Sequence, residues 1–380
     1  MTAKTEPLYP ADRLIRAQQS TGAAGLDGLL VTPGADLRYL TGYDALPLER
    51  LTCLVLPRSG PPALVVPELE APRAAASPAG ALGIEIVSWP ETADPFGLAT
   101  ALLRDALGMR TALTAVGVAD RMWAVQALRF ADRLAGVRLS PAGTVLAPLR
   151  IRKTLAEIEA LRRAGQAIDR VHERFAGWRV SGRSEADVGR DIAAAIVEEG
   201  HATVNFVIVA SGPNGASPHH DTGDRLIGEG DQVVVDIGGT TPEGYCSDST
   251  RTYSVGEPPA DFAASYAVLQ AAQDAACAAV RPGIPAEAVD AVARGLIEQA
   301  GYGAYFVHRT GHGIGLEEHE DPYLVAGNAA PLEPGMAFSI EPGIYLPGRH
   351  GARIEDICVC TEEGGERLNL VGRDLVVLAG

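Results

Sequence analysis

Short apolar runs alternate with amphipathic stretches along the first part of the chain. GLLVT and ALVVP are aliphatic runs of strand length, whereas AVQALRFADRLAG has helical periodicity. This alternation is typical of an α/β layer. We therefore predict an α/β domain over residues 1–147, and the Pro- and Gly-containing segment SPAGTVLAPLR is expected to be a linker.

A long amphipathic helix is predicted at the start of a second domain, residues 148–380. Thr154 and Glu157 form a capping-box pattern at its N-terminus. Apolar residues then recur at helical spacing: Leu155, Ile158, Leu161, Ile168, Val171 and Phe175. A second helix is predicted from Ser184 to Gly200.

The rest of the second domain is richer in strands. Short β-branched runs predict five of them: VNFVIVA, QVVVDIG, STRTYSV, MAFSIEP and RIEDICVCT. Helices near 261–281 and 286–300 interrupt this series, so the pattern favours an α+β domain. The clusters of acidic residues and histidines all fall within these strand-like segments.

Length and composition limit the classes of function. A chain of 380 residues is longer than one core usually supports, and its 47% hydrophobic content suits a globular protein. The sequence contains neither an apolar run of about 18 residues for a membrane span nor an apolar secretory segment after its start. These features predict a cytoplasmic protein without a membrane partner.

Charge and cysteine content add two further expectations. The formal net charge of −16 repels phosphate backbones, so nucleic acid is excluded as a partner. The five cysteines are odd in number and scattered, which favours reduced thiols over a disulfide framework.

Four carboxylates lie in apolar surroundings. Asp236 ends a run of valines, Asp248 follows twelve residues later, and Glu341 and Glu355 stand within FSIEPG and ARIEDI. An isolated buried carboxylate is costly unless a cation accompanies it. Because this half of the chain has few basic residues in comparable strands, shared metal is the simplest explanation. Several carboxylates with one imidazole suit Mn²⁺, Co²⁺, Fe²⁺ or Zn²⁺, and favour two bridged ions.

The segment HRTGHGIGLEEHE, residues 308–320, supplies candidate imidazoles. His308 and His312 are spaced like the pair of a zinc-protease helix, but alternating glycines favour an extended chain in which backbones pass closely. In an extended chain these two histidines share a face, while His319 points the other way or follows a bend. One histidine could then bind metal while the others face a substrate.

Five motifs, in order, resemble the pita-bread metallopeptidase family of prolidases, aminopeptidase P and methionine aminopeptidases. They are VVVDIGG, YCSDSTRT, HRTGHGIGLEEHEDP, EPGIYLP and GARIEDI. The resemblance extends from about Ile151 to the C-terminus. The first domain resembles a creatinase-like N-terminal domain in its length, its α/β character and the phrase LRYLTGY.

The resemblance implies a ligand set for two divalent ions, with Mn²⁺ favoured. Asp236 would bind one ion, Asp248 and Glu355 would bridge, and His312 and Glu341 would bind the second. The family usually places its two aspartates eleven residues apart rather than twelve. A longer hairpin turn is expected to absorb the extra residue.

The resemblance also implies roles for side chains around the metals. His319 would stabilise the oxyanion, Glu341 would carry the proton, and His219, in preference to its neighbour His220, would orient the substrate. His308 would contact the substrate. Arg353 precedes Glu355 by two residues and is expected to pair with either a ligand carboxylate or a substrate carboxylate.

Other polar residues in the sequence are expected to take no part in catalysis. Glu317, Glu318 and Glu320 are predicted to be solvated or structural, because glutamate is commonly exposed. His201 and His350 are predicted to lie on the surface.

The two-domain build resembles prolidase and aminopeptidase P, and the modest length favours the former. We therefore predict an Xaa-Pro dipeptidase, whose substrate is an Xaa-Pro dipeptide or a short proline-containing peptide. The family's homodimer implies that the N-terminal domain approaches the partner's site, where Asp36 and Arg50 would bind peptide termini. The alternatives are an aminopeptidase P that acts on longer peptides, a creatinase-like hydrolase, and a metal-using lyase.

Overall fold

The computed structural model describes residues 7–108 and 113–379. The chain divides into two compact units, Met1–Arg150 and Ile151–Gly380. Among the described residues, no helix combines the length and the apolar character that crossing a membrane requires.

The first unit is a mixed six-stranded sheet with helices. Its strands are β1 (Gly28–Val31), β2 (Cys53–Pro57), β3 (Ala63–Pro67), β4 (Glu85–Trp89), β5 (Ala115–Val118) and β6 (Arg138–Pro141). Its helices are α1 (Asp12–Ala23), α2 (Ala35–Thr41), α3 (Ala71–Ala76), α4 (Pro95–Ala106), α5 (Ala124–Arg133) and α6 (Gly143–Arg150). The strand order is β4-β3-β2-β1-β5-β6, in which β2 pairs antiparallel with both β1 and β3. The predicted α/β class is confirmed.

The predicted linker in SPAGTVLAPLR is wrong. These residues form the end of β6 and the whole of α6, although Pro148 lies inside the helix. Val145 and Leu146 are buried, and packing of this kind outweighs the local preference of Gly and Pro for loops. The helix is also held at its end, because Arg150 forms a 2.7 Å ion pair with Asp36.

The second unit contains two main sheets, each covered by helices. Its helices are α7 (Leu155–Phe175), α8 (Glu185–Glu198), α9 (Ala260–Ala279) and α10 (Ala286–Gln299). Its strands are β7 (Thr203–Ser211), β8 (Gln232–Thr240), β9 (Cys246–Val255), β10 (Gly311–Gly313), β11 (Glu320–Leu324), β12 (Ala337–Ile340), β13 (Gly343–Leu346), β14 (His350–Arg353), β15 (Asp356–Thr361), β16 (Gly364–Arg367) and β17 (Val376–Leu378).

The sheets of the second unit have the orders β17-β9-β8-β7 and β11-β10-β12-β15-β16, and β13 pairs with β14 separately. One core joins α7 and α8 to the first sheet through residues such as Val171, Ile192 and Val235. A second core joins α9 and α10 to the second sheet through residues such as Leu269 and Phe338. The predicted α+β pita-bread class is confirmed.

The predicted capping box opens α7. Thr154 accepts a hydrogen bond from the Glu157 backbone, and the Glu157 carboxylate accepts one from the Thr154 backbone at 2.9 Å. The other oxygen of this buried carboxylate accepts from the Tyr245 hydroxyl at 2.8 Å. The start of α7 is thereby attached to the loop between β8 and β9.

A buried histidine, His172, joins α7 to β9. Its Nδ1 lies 3.0 Å from the Tyr253 hydroxyl, and its Nε2 lies 3.3 Å from the Ser249 carbonyl. Burial, together with the charge of Arg251, lowers the pKa of His172 to about 3. The histidine is therefore neutral in the folded protein, whereas it gains a proton below about pH 6.5 in the unfolded chain.

This difference predicts acid lability. Because the unfolded state binds the extra proton, the free energy of unfolding should fall by about 1 kcal/mol between pH 7 and pH 5.5 on account of His172. Urea titrations at the two pH values should show that His172→Gln loses this part of the pH dependence. The same substitution at the exposed His219 should retain it, and equal pH dependence in wild type and His172→Gln would contradict the assignment.

Candidate metal centre

A cavity of about 560 Å³ in the second unit collects most of the predicted site residues. Its charged and imidazole lining consists of Asp236, Asp248, Glu318, Glu341, Glu355, Arg309, Arg353, His219, His308, His312 and His319. Residues separated by more than a hundred positions in the sequence therefore meet at one site.

The hairpin of β8 and β9 places two of the carboxylates. Asp236 pairs with Thr250, and Gly238 pairs with Asp248, so both aspartates project from the same face. Gly238 is required there because a Cβ would lie 2.5 Å from the Phe206 ring and 2.6 Å from the Ser247 carbonyl. Pairing is unbroken from Gln232 to Thr240, so the extra residue lies in the loop 241–245, as predicted.

The glycines of the histidine-rich segment allow close backbone approach. Gly311–Gly313 forms β10 between β11 and β12, which confirms an extended chain rather than a zinc-protease helix. A Cβ on Gly311 would lie 1.9 Å from the Ser339 carbonyl, and one on Gly313 would lie 2.2 Å from the Asp321 carbonyl. Neither position can accept a larger residue without moving a neighbouring strand.

The imidazole of His312 faces carboxylates. Its Nδ1 lies 3.2 Å from the Gly313 carbonyl, whereas Nε2 lies 3.2 Å from Glu341 and 3.6 Å from Asp248. Because Nε2 faces two anionic groups, either a proton on Nε2 or a cation has to lie between them. Ser339 completes the contact by accepting from the His312 backbone and donating to Glu341, each at 3.0 Å.

The two glutamates lie at strand ends and not inside strands as predicted. Glu341 follows β12, and Glu355 lies between β14 and β15, which belong to different sheets. The run RIEDICVCT is therefore split where the chain passes from one sheet to the other. Glu355 is fixed there by the Thr250 hydroxyl, which donates at 2.7 Å, while Arg251 donates to its carbonyl at 2.6 Å.

Among the described residues, three groups of donor atoms could hold a metal ion, each with its atoms within 4.8 Å of one another. These groups are Asp236 with Asp248 and Glu355; His312 with Glu341 and Glu355; and Asp248 with His312 and His319. Glu355 belongs to two of the groups, and so does Asp248. Shared carboxylates are the arrangement that two neighbouring ions need.

The electrostatics of these groups also fit a cation. Burial, and then the charges of neighbouring carboxylates, raise the pKa of both Asp248 and Glu355 well above the usual value. Burial opposes ionisation of Glu341 too, but the hydrogen bond and charge of His312 outweigh it and bring the pKa to about 2. One oxygen of Asp236 is buried without a hydrogen-bond partner among the described residues. Divalent ions would satisfy these charges and this oxygen together.

His319 lies beside His312, with the ring centroids 3.9 Å apart. It follows the bend after β10 and is exposed, so the three histidines of the segment line one cavity. Partial desolvation by the surrounding cavity wall, with the charges of His312 and Arg309, lowers its pKa to about 4. Arg309 lies 3.4 Å from Nδ1, and because a guanidinium only donates, the proton of the neutral ring is on Nε2.

A buried tyrosine that the sequence analysis did not single out links two predicted residues. Tyr345 accepts from Arg353 at 2.8 Å, and its hydroxyl lies 2.9 Å from Nε2 of His308. Burial raises the pKa of Tyr345 to about 12, so the hydroxyl keeps its proton and can donate to His308. Burial lowers the pKa of His308, whose Nδ1 lies 2.7 Å from the Arg309 carbonyl. Both nitrogens of His308 are therefore occupied.

Arg353 pairs with the carboxylate of Asp236, the first of its two expected partners. Its remaining contacts are with Thr250 at 3.0 Å, with Tyr345, and with the Pro218 carbonyl at 3.3 Å. These bonds use all three nitrogens of the guanidinium. A role in binding a substrate carboxylate stays a prediction.

His219 lines the cavity, and its neighbour His220 does not. Instead, Nε2 of His220 lies 2.9 Å from Glu185, a fully buried glutamate that also accepts from Ser211 and Asn214. This network fixes the segment that carries His219. Glu185 stands at the start of a helix in the sequence, and nothing in its local pattern indicates this contact.

The three glutamates near His319 differ in position. Glu320 forms a 2.5 Å ion pair with Lys153, and both side chains are largely buried. Glu318 lines the cavity, whereas Glu317 does not. Glu320 is therefore structural, which is one of the two roles predicted for these glutamates.

The surface position predicted for His201 and His350 is wrong, because both are buried. His201 lies 2.8 Å from the Ser247 hydroxyl, and the ring of His350 packs edge-on against Phe262 at 5.0 Å. Each ring has a partner that is distant in sequence, so a local pattern could not reveal its burial.

Asp36 and Arg50 lie in the first unit and have partners there. Asp36 pairs with Arg150, and Arg50 contacts Glu49 and Glu91. Their predicted contact with peptide termini stays a prediction.

Two family models match the chain. Residues 159–362 match the model of metallopeptidase family M24, and residues 13–152 match the creatinase/prolidase N-terminal domain. The chain belongs to metallopeptidase family M24. The M24 model includes every carboxylate and imidazole of the candidate centre. The protein is therefore a metallopeptidase, and a peptide is its substrate.

Several relatives are similar over almost their whole length. PepE of Mycobacterium tuberculosis (strain ATCC 25618 / H37Rv), named a probable dipeptidase, is 55% identical over 97% of this chain and 96% of its own. The crystal structure of dipeptidase PepE from Mycobacterium ulcerans has a TM-score of 0.90 at 54% identity, covering 97% and 98% of the two chains. A prolidase from Thermococcus sibiricus has a TM-score of 0.90 at 38% identity, covering 99% and 100%.

Proposed function

We propose that this M24 metallopeptidase is a dinuclear Xaa-Pro dipeptidase. One observation carries the proposal: two groups of three metal-binding side chains lie in one cavity and share Glu355. The first group adds Asp236 and Asp248, and the second adds His312 and Glu341. The similarity to PepE and to a prolidase supports the dipeptide and proline specificity. The five cysteines are free and buried, which agrees with a reducing compartment such as the cytoplasm.

In this proposal Asp236 would hold one ion, Asp248 and Glu355 would be shared by both ions, and His312 and Glu341 would hold the second. The oxygen-rich set favours Mn²⁺, and Co²⁺, Zn²⁺ or Fe²⁺ also suit it. Bound divalent ions would polarise the scissile carbonyl and lower the pKa of water, which allows hydrolysis near neutral pH. Arg353 holds Asp236 in place through the paired carboxylate oxygen.

The surrounding side chains act on the substrate and on protons. His319 donates from Nε2–H to the carbonyl oxygen of the scissile bond as negative charge develops there. His219 orients the peptide from the segment that Arg353 and Glu185 fix. Glu341 accepts a proton from the attacking water and delivers it to the proline nitrogen as the C–N bond breaks.

The proposal includes a homodimer, in which Asp36 and Arg50 of one subunit would limit the length of peptide that the other accepts. Residues 32–50 carry both side chains; Arg50 is partly exposed, whereas Asp36 is largely buried in its ion pair with Arg150 and would have to exchange that partner for a peptide terminus. A charge-assisted contact with a peptide terminus is stronger than a neutral hydrogen bond, which suits these residues to the role.

Hydrolysis of Xaa-Pro dipeptides tests the proposed function. With Mn²⁺, Co²⁺ or Zn²⁺ added, we expect Leu-Pro to be cleaved at least about tenfold more efficiently than Leu-Pro-Ala and than Leu-Ala, since a tenfold preference needs only about 1.4 kcal/mol. A chelator should abolish the activity. Preference for the tripeptide would instead indicate an aminopeptidase P, and the absence of cleavage in any proline peptide would contradict the proposal.

A further inference from the structure

Glu318 supplies a carboxylate to the cavity that the proposed ligand set does not use. Its Oε1 is buried without a hydrogen-bond partner among the described residues. A buried carboxylate oxygen without a partner costs free energy that a cation would recover. The cavity therefore holds an unsatisfied negative group beside the candidate metal centre.

The loop that carries Glu318 is anchored at both ends. Before it, Gly315 accepts from the Cys246 backbone at 2.8 Å and donates to the Glu317 carbonyl at 3.0 Å. After it, Glu320 forms the buried ion pair with Lys153. Glu318 is thus held at the cavity by the fold, and is not a flexible surface glutamate.

An apolar wall faces the same cavity. Phe206 and Ile208, on β7, line it together with Glu318. The Phe206 ring covers Gly238, which pairs directly with Asp248, so the wall adjoins the candidate ligands.

The basic residues of the cavity are turned to other partners. Arg353 binds Asp236, and Arg309 contacts His319 and lies 4.5 Å from the centroid of the Tyr323 ring. Neither neutralises Glu318 in the described structure. A cationic group of a bound peptide can therefore pair with Glu318.

We propose that Glu318 selects peptides in which the residue before the scissile bond has a cationic side chain. The aliphatic stem of lysine or arginine would cover Phe206 and Ile208, and its charged end would reach the Glu318 carboxylate. The α-ammonium group of the peptide could also pair with Glu318, but it has no aliphatic stem to cover Phe206 and Ile208. The cationic side chain therefore fits this part of the cavity better. This inference rests on the proposed function and adds the preferred residue before proline.

The test compares Arg-Pro with Met-Pro in wild type and in Glu318→Gln, which keeps the shape and removes the charge. The ratio of kcat/KM for Arg-Pro to that for Met-Pro should fall about tenfold or more, as expected for a lost hydrogen bond to a charged group. Glu317→Gln, which makes the same change outside the cavity lining, should leave the ratio unchanged. Glu318→Lys should shift the preference to Glu-Pro.

Metal content of each variant is measured alongside the kinetics. An unchanged ratio in Glu318→Gln would overturn the inference, and so would an equal loss for both peptides, which would indicate α-ammonium binding. Loss of metal would also overturn it, because Glu318 would then belong to the ligand set. If wild type cleaves no Xaa-Pro dipeptide, the proposed function fails and this inference fails with it; an active wild type with an unaltered ratio contradicts the inference alone.

Discussion

Asp248→Asn and Glu355→Gln should each abolish peptide hydrolysis and lower the bound metal below that of wild type. Each carboxylate lies in two overlapping donor groups, so its loss weakens the binding of both ions and leaves their mutual repulsion less screened. The loss of activity should exceed the about 10- to 100-fold that removal of an outer partner of a metal site typically costs. Metal analysis and hydrolysis of Leu-Pro measure the two effects.

The matched control is Glu362→Gln, which makes the same change at an exposed glutamate after β15. It should retain full metal and full turnover. Wild-type metal content with near-normal turnover in either Asp248→Asn or Glu355→Gln would remove the dinuclear assignment.

His312→Ala and His319→Ala should separate metal binding from catalysis. His312→Ala should lose metal, because its Nε2 faces Glu341 and Asp248. His319→Ala should keep metal but lose about 10²- to 10³-fold in kcat, which is the typical effect of one transition-state hydrogen-bond donor.

The two rings lie only 3.9 Å apart, and a nitrogen of His319 falls within 4.8 Å of donors of Asp248 and His312. Metal analysis is therefore essential for both variants. Loss of metal in His319→Ala, with retention in His312→Ala, would reverse the division of roles between these histidines.

The sequence predicts the elements of this site better than their connections. The valine run before Asp236 and the alternating glycines around His312 predict strands, and these strands form because their pattern is local. The sequence predicts Glu355 inside a strand because no turn residue marks the passage from β14 to β15. A change of sheet depends on pairing partners that are distant along the chain.

Contacts between distant residues account for the other differences. The burial of His201 depends on its contact with Ser247. The helix α6 forms because the packing of Val145 and Leu146 outweighs the preference of Gly and Pro for loops. The role of Tyr345 depends on its contacts with His308 and Arg353, and that of Glu318 depends on the residues that line the cavity with it. No spacing rule within the sequence contains that information.

The central claim is that two ions held by the shared carboxylates carry out hydrolysis before proline. Titrating the metal-free protein with Mn²⁺, while following both bound metal and Leu-Pro cleavage, tests it most directly. We expect activity to rise until two ions are bound per chain and then to remain constant. Full activity with one ion per chain, or activity that persists without metal, would contradict the account.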